Sequence, residues 1–235
     1  MELTIIRHAQ STNNALGNPE DRDCDPPLTE LGRRQAGIVA RHLAAGMRLS
    51  PWEDDYLDPS GYGITRLYCS PMWRALQTAG YIGQALGLVP EVWIDLHERG
   101  GIYLDHGEAR GIIGYPGKTR AEILSEFPHY SLPADITEHG WWDQGREDRP
   151  AFYGRAIKVA EELRRWADSD ERIGLVTHGG FIDGLLKALF NQLPGPHIYY
   201  PHLNTAITSI GFRGDGHLDV AYMNRVDHLP SDLIS

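Results

Sequence analysis

Four short runs rich in β-branched or aromatic side chains recur along the chain, at Leu3–Ile6, Ile64–Tyr68, Val92–Leu96 and Ile173–Thr177. Each has the length and apolar continuity of a strand covered on both faces. Between them the spacing of apolar residues changes to a helical period. Thr29–Met47 carries Leu31, Val39 and Leu43 on roughly one face, with Thr29 as a candidate N-cap. Trp73–Leu86 begins just after Pro71 and can close at Gly87. In Ala151–Trp166 the expected buried stripe is Ile157, Ala160 and Leu163, continued by Ala167, and Phe181–Phe190 follows the fourth strand directly.

Strands alternating with helices predict an α/β fold, a three-layer α/β/α sandwich around a mostly parallel central sheet. Near the end, "AITSIGFRGDGHLDVAYMN" reads as two strands about a Gly-Asp-Gly turn, an antiparallel hairpin expected at one edge of that sheet. Two segments break the alternation. "SPWEDDYLDPSGYG" (50–63) is acidic and turn-rich, as a solvated connection would be, and the acidic "EDRDCD" (20–25) is expected to be a solvated loop as well. Residues 100–149 are too many for a structureless loop in a compact domain. They predict an inserted lobe with a short helix near Thr119–Phe127. The expected organisation is one domain over 1–235, with this lobe covering the substrate.

Composition narrows the function classes. The 235 residues are 41% hydrophobic and 23% charged, a globular balance. A net charge of −10 argues against binding nucleic acid or an anionic membrane surface, both of which require basic surface. No apolar stretch approaches the ~20 residues of a membrane span, and Met1–Ile6 lacks the layout of a signal peptide. Cys24 and Cys69 are too few for a disulfide framework. These features predict a cytoplasmic protein, monomeric or homodimeric, and they leave room for a small anionic substrate if positive charge is concentrated locally.

In parallel sheets, ligands bind where strand C-termini meet loops. Every predicted strand exit carries reactive chemistry. The first presents Arg7 and His8; the second, in "CSPMWRALQTA", presents Arg74; the third, in "LHERGG", presents Glu98; the fourth, in "VTHGGFIDG", presents His178 before Gly179 and Gly180. Two guanidinium groups match phosphate oxygens bidentately and stay charged. A neutral imidazole is a nucleophile toward phosphorus, and neighbouring arginines should hold its pKa below the usual ~6.5. Backbone N–H groups beginning at Gly179 offer a further phosphate contact.

Magnitude favours such a cluster over a lone residue. Enzymes accelerate phosphate monoester hydrolysis by up to ~10²¹, whereas acid–base help supplies only about 10²–10⁴. Charge neutralisation and positioning must carry most of the rest. A leaving alkoxide still needs a proton, and Glu98 is the best-placed donor, with Asp105 and Glu108 as substitutes. His97, Asp105, His106 and Glu108 lack metal-ligand pair spacing, so neither metal nor cofactor is expected. Arg99, Arg110 and Lys118 are candidates for a second anionic group on the substrate, and Trp141 and Trp142 either line the pocket or form the lobe's own core.

The opening "RHAQSTNN" resembles the first motif of the histidine phosphatase superfamily, matching through Arg7, His8, Gln10, Ser11 and Asn14 and departing at Ala9, where glycine is expected. "LTELGRRQA", "YCSPMWRALQTA", "LVTHGGFI", "NTAITSIGF" and "MNRVDHL" are similar to its later motifs, in the same order. The superfamily includes cofactor-dependent phosphoglycerate mutases and many phosphomonoesterases. The resemblance implies a phosphoglycerate mutase-like fold and a transient phosphohistidine on His8. It further implies that Arg7, Arg74 and His178 bind the phosphoryl group, that Asn14 and Gly179 add contacts, and that Glu98 is acid and then base. Gln10, Ser11, Arg99, Lys118, Trp141 and Trp142 are carried as candidates around the substrate. The expected function is a phosphomonoesterase acting on a small phosphorylated metabolite. The alternatives are a phosphoglycerate mutase and a catalytically silent phospho-ligand binding module.

Overall fold

The computed structural model describes residues 1–46, 48–49, 57–58 and 61–235. In chain order it contains β1 (Glu2–Arg7), α1 (Glu30–Ala45), β2 (Arg48–Leu49), β3 (Leu57–Asp58), β4 (Arg66–Cys69), α2 (Trp73–Leu86) and β5 (Glu91–Val92). There follow β6 (Tyr103–Asp105), β7 (Ile112–Gly114), α3 (Arg120–Glu126), α4 (Arg149–Arg165), β8 (Arg172–Thr177), α5 (Gly179–Leu189), β9 (Ile207–Phe212) and β10 (Leu218–Arg225). Most of the acidic connection expected at 50–63, and the last residue of the helix expected to reach Met47, lie outside the described residues.

The main sheet has the order β10-β9-β1-β8-β4-β5. β1, β8, β4 and β5 run parallel, while β9 and β10 form the antiparallel hairpin at one edge. Alternation along β1 explains why both faces need a helical layer. Leu3 and Ile5 point into one core cluster with Phe152, Val159 and Leu163 of α4 and Phe181, Leu185 and Leu186 of α5. Ile6 points into the other, with Val39 and Leu43 of α1 and Leu76, Ala79 and Ile82 of α2. A strand with apolar residues on both pleats is stable only as the middle layer of a sandwich. Local chemistry sets the helix ends: Thr29 accepts from the Gly32 N–H at the start of α1, and Gly87 closes α2 at φ +67.

Two expectations need correcting. The third strand is only Glu91–Val92, and Ile94–Leu96 turn into a 3₁₀ helix instead. β5 is an edge strand that pairs β4 only at Tyr68↔Glu91 and Cys69↔Val92. Beyond that point the Leu96 carbonyl accepts from the Thr177 hydroxyl at 2.6 Å, so a side chain replaces the ladder. The buried stripe of α4 is Phe152, Arg155, Ala156, Val159, Ala160 and Leu163, and Ile157 is 50% exposed. The helix is rotated relative to that expectation so that Arg155 is turned inward.

The 100–149 segment contains the β6–β7 ladder and α3, whose N-terminus is a capping box between Thr119 and Glu122. Its Ile102, Ile123, Tyr130, Ile136, Trp141 and Trp142 belong to the same core cluster as α1 and α2. No helix among the described residues is long and apolar enough to cross a membrane.

Candidate active site

β1 delivers Arg7 and His8 to the C-terminal edge of the sheet. The His8 N–H donates to the Thr177 carbonyl at 2.8 Å, and Asn204 Nδ2 donates to the His8 carbonyl at 2.9 Å. The imidazole is 3% exposed, with Nδ1 2.7 Å from the Ala9 carbonyl. A carbonyl only accepts, so Nδ1 carries the proton and Nε2 keeps its lone pair. Arg74 Nε donates to that Nε2 at 3.2 Å. Burial, then the Arg74 and Arg7 charges, push the His8 pKa well below the usual imidazole value. Ala9 is not in the left-handed region, so the missing glycine costs no backbone strain there. The close approach is accommodated by Gly32 of α1, where a Cβ would lie 2.0 Å from the Gln10 carbonyl oxygen.

Arg74 sits in the first turn of α2, 8% exposed, and burial lowers its pKa. Its carboxylate partner is Asp25, with Nη1 3.8 Å from Oδ1. Asp25 also accepts the Trp73 N–H at 2.9 Å, and burial, opposed by Arg74, raises its pKa to about 6. The solvated loop expected at 20–25 is found over Glu20–Asp23, which are exposed, and fails at Asp25, which is buried; Glu20, Arg22, Asp23 and Cys24 line the cleft. Nothing in the sequence separates Asp25 from Asp21 and Asp23.

His178 caps α5 at the end of β8, fully buried, its ring centroid 5.0 Å from that of His8. Nε2 lies 2.7 Å from the Ser70 hydroxyl. Burial first, then Arg74, hold its pKa well below the usual value. Nδ1 of His178 and Nε of Arg7 are buried with no hydrogen-bond partner among the described residues. Gly179 begins α5 so close to Arg7 that a Cβ there would meet Nε at 3.4 Å. Asn14 Oδ1 accepts from the Ser11 N–H, the Ser11 hydroxyl and Asn204 Nδ2, and Asn14 lines the cleft.

Arg7, His8, Ser11, Asn14, Arg74, Glu98 and Arg99 line one cleft of about 880 Å³. Glu98 Oε1 accepts the Arg99 N–H at 2.7 Å and Oε2 accepts the Gly180 N–H at 3.2 Å. Asp105, an exposed residue, also lines this cleft, and Glu108 does not. Four candidates fall elsewhere. Gln10 accepts the Thr29 hydroxyl through its side chain. Lys118 pairs with Glu122 at 3.1 Å and lies over the Trp73 ring, and Trp141 and Trp142 pack around His97 in the core beneath the lobe. Indoles are too apolar to be left on a wet cleft wall when such a core is within reach. Arg22, Tyr103 and Arg146 line the cleft instead, and their positions depend on loop folding that carries no periodic signal. Among the described residues no group of three or more His, Cys, Asp or Glu side chains is placed to hold a metal ion.

The family model for the histidine phosphatase superfamily (branch 1) matches residues 3–53 and 55–225. The chain belongs to that superfamily. This histidine phosphatase superfamily member is 28% identical over 165 residues to Phosphoserine phosphatase 1 of Hydrogenobacter thermophilus, 70% of this chain and 65% of that protein. It therefore spans less than two thirds of that relative's length. It is 28% identical over 193 residues to Glucosyl-3-phosphoglycerate phosphatase of Mycolicibacterium vanbaalenii, 80% of this chain and 73% of that protein. The solved structure of a mycobacterial glucosyl-3-phosphoglycerate phosphatase complexed with VO3 superposes with a TM-score of 0.58 at 24% identity, covering 96% of this chain and 99% of the other. At that identity the likeness speaks for the fold.

Proposed function

We propose that the protein is a phosphomonoesterase that works through a phosphohistidine on His8. The observation that carries this reading is a pair of buried nitrogens without partners, Arg7 Nε and His178 Nδ1 (a donor where the Ser70 hydroxyl donates to Nε2), beside an imidazole whose Nε2 lone pair accepts from Arg74 and lies in the field of Arg7. Buried donors are left unpaired at high cost, so a site that contains two is built for an acceptor-rich ligand. A phosphoryl group supplies three such oxygens.

Arg7, Arg74, His178, Asn14 Nδ2 and the N–H groups beginning at Gly179 would hold the phosphoryl oxygens. His8 Nε2 attacks phosphorus as the ester P–O bond breaks, and Glu98 gives its proton to the leaving oxygen. Glu98, now a carboxylate, takes a proton from water; that water attacks phosphorus, the P–N bond breaks, and inorganic phosphate leaves with His8 and protonated Glu98 restored. Glu98 is favoured over Asp105 and Glu108 because its two oxygens are oriented by backbone N–H groups at the cleft floor.

Two of the relatives are named for phosphatases of phosphoserine and of glucosyl-3-phosphoglycerate, each of which carries a carboxylate. Arg99 and Arg146 on the cleft wall supply charge for such a carboxylate, and the 100–149 segment acts as a substrate-covering lobe within one domain. A cytoplasmic location accords with two free thiols. The test is inorganic phosphate release from O-phosphoserine, 3-phosphoglycerate and an aryl phosphate. Release abolished by His8→Ala is expected. Interconversion of 2- and 3-phosphoglycerate with negligible release would make the protein a mutase, and turnover unchanged in His8→Ala would reject the phosphohistidine.

A further inference from the structure

A second buried charge cluster lies behind Glu98, and the reaction as described does not use it. Arg155 of α4 and Glu147, just before that helix, form a bidentate pair at 2.8 and 2.7 Å with side chains 8% and 5% exposed. Arg155 Nη1 also donates to the Asp95 carbonyl at 2.7 Å and to the His97 carbonyl at 2.9 Å. Glu147 Oε2 accepts the Gly100 N–H at 3.2 Å, and the Glu147 N–H donates to the Gly100 carbonyl at 3.0 Å. The carbonyl between the two that Arg155 holds, that of Leu96, is taken by Thr177 of the neighbouring strand. The backbone on both sides of Glu98 is thus gripped by one ion pair.

Why the grip is needed follows from the local backbone. Beyond Val92 the sheet no longer supports this segment, and Gly100 and Gly101 turn it sharply at φ +97 and +74. A proton donor on such a turn would sample many positions, whereas proton transfer requires hydrogen-bond reach of the leaving oxygen. Removing two charges from water is also costly, and an apolar pair of similar volume would hold the fold as well or better. Stability alone therefore gives little reason to bury Arg155 and Glu147 here. Resting on the reading of Glu98 as proton donor, we propose that the Arg155–Glu147 pair is a positioning device that fixes the 95–100 segment so that Glu98 reaches the leaving group.

Leaving-group dependence separates positioning from mere structure. A p-nitrophenolate leaves without much help, while an alkoxide needs the proton, so the ratio of kcat/KM for glycerol 2-phosphate to that for p-nitrophenyl phosphate reports on Glu98 alone. Glu98→Gln should lower this ratio by about 100-fold. Arg155→Lys, which keeps the charge but loses the fork, should lower it by about tenfold. The apolar double variant Glu147→Leu/Arg155→Met avoids a stranded charge, and its urea midpoint shows whether it is folded; it should show the same loss. A Glu98→Gln ratio equal to wild type would remove the proton-donor assignment itself. A ratio lowered in Glu98→Gln but unchanged in the double variant would overturn the positioning role and leave the assignment standing.

Discussion

Arg74 and Arg155 are almost equally buried, at 8% and 9% exposure, yet they are treated in opposite ways. Arg155 spends its guanidinium on four short contacts, two to a carboxylate and two to carbonyls. Arg74 has a carboxylate no nearer than 3.8 Å and gives its other N–H groups to an imidazole nitrogen and the Met72 sulfur, a weak acceptor. One cation is satisfied within the fold and organises backbone. The other is under-satisfied and, on the function proposed above, is left with Arg7 and His178 for an anion. Partners rather than burial distinguish a scaffold charge from a binding charge.

The largest effect should come from breaking the satisfied pair. Arg155→Met strands Glu147 and should cost about 3–5 kcal/mol by urea denaturation at neutral pH. Glu147→Leu/Arg155→Met should recover most of that loss; a double variant as unstable as the single would show that the pair is needed as charge. The under-satisfied cation should behave the other way. Arg74→Met should lower kcat/KM for an aryl phosphate by about 10²–10³-fold, with little change in urea midpoint at pH 5, where Asp25, its pKa raised to about 6, is protonated. In that variant the acid limb of the rate profile should also rise toward ordinary imidazole, because Arg74 is among the charges that depress His8.

The pH dependence of stability sharpens the contrast. Glu147 is buried, which alone would raise its pKa, but the two hydrogen bonds and the charge of Arg155 hold it down at about 2. A depressed carboxyl contributes stability above its unfolded value of 4.5 and loses it as pH falls toward 2. Glu147→Gln should flatten that acid limb, seen as urea midpoints converging with wild type at low pH. Asp25 has the opposite sign and a smaller effect. Its raised pKa means stability is greatest below 3.8 and declines as pH rises through about 6. Asp25→Asn should remove that decline; an unchanged slope would place the ionisation elsewhere.

Legibility followed the distance over which a signal acts. Arg7, His8, Arg74 and His178 were readable as candidates because each lies at or near a strand end or helix start, and the parallel sheet brings such ends to one edge; Glu98, well beyond the end of β5, reaches that edge only through the loop that carries it. Asp25 looked like its neighbours in an acidic run and became distinct only when Arg74 and the Trp73 N–H folded over it. Ile157 met the helical spacing but faces solvent, and Arg155 is turned inward instead, to carbonyls 60 and 58 residues away in sequence. For Trp141 and Trp142 the sequence left pocket lining and the lobe's own core both open, since His97 and the core cluster they join come from other parts of the chain.

By itself, then, the sequence determined the layer order, the ends of the first and fourth strands and the residue types that meet there, since hydrophobic period and helix-start chemistry act locally. Tertiary structure alone decided which charges are paired and which are left waiting, how far the third strand runs, and what holds Glu98. The physical reason is that desolvation and hydrogen-bond partnership depend on the side chains that surround a group, and most of those around Arg74 and Arg155 arrive from distant positions.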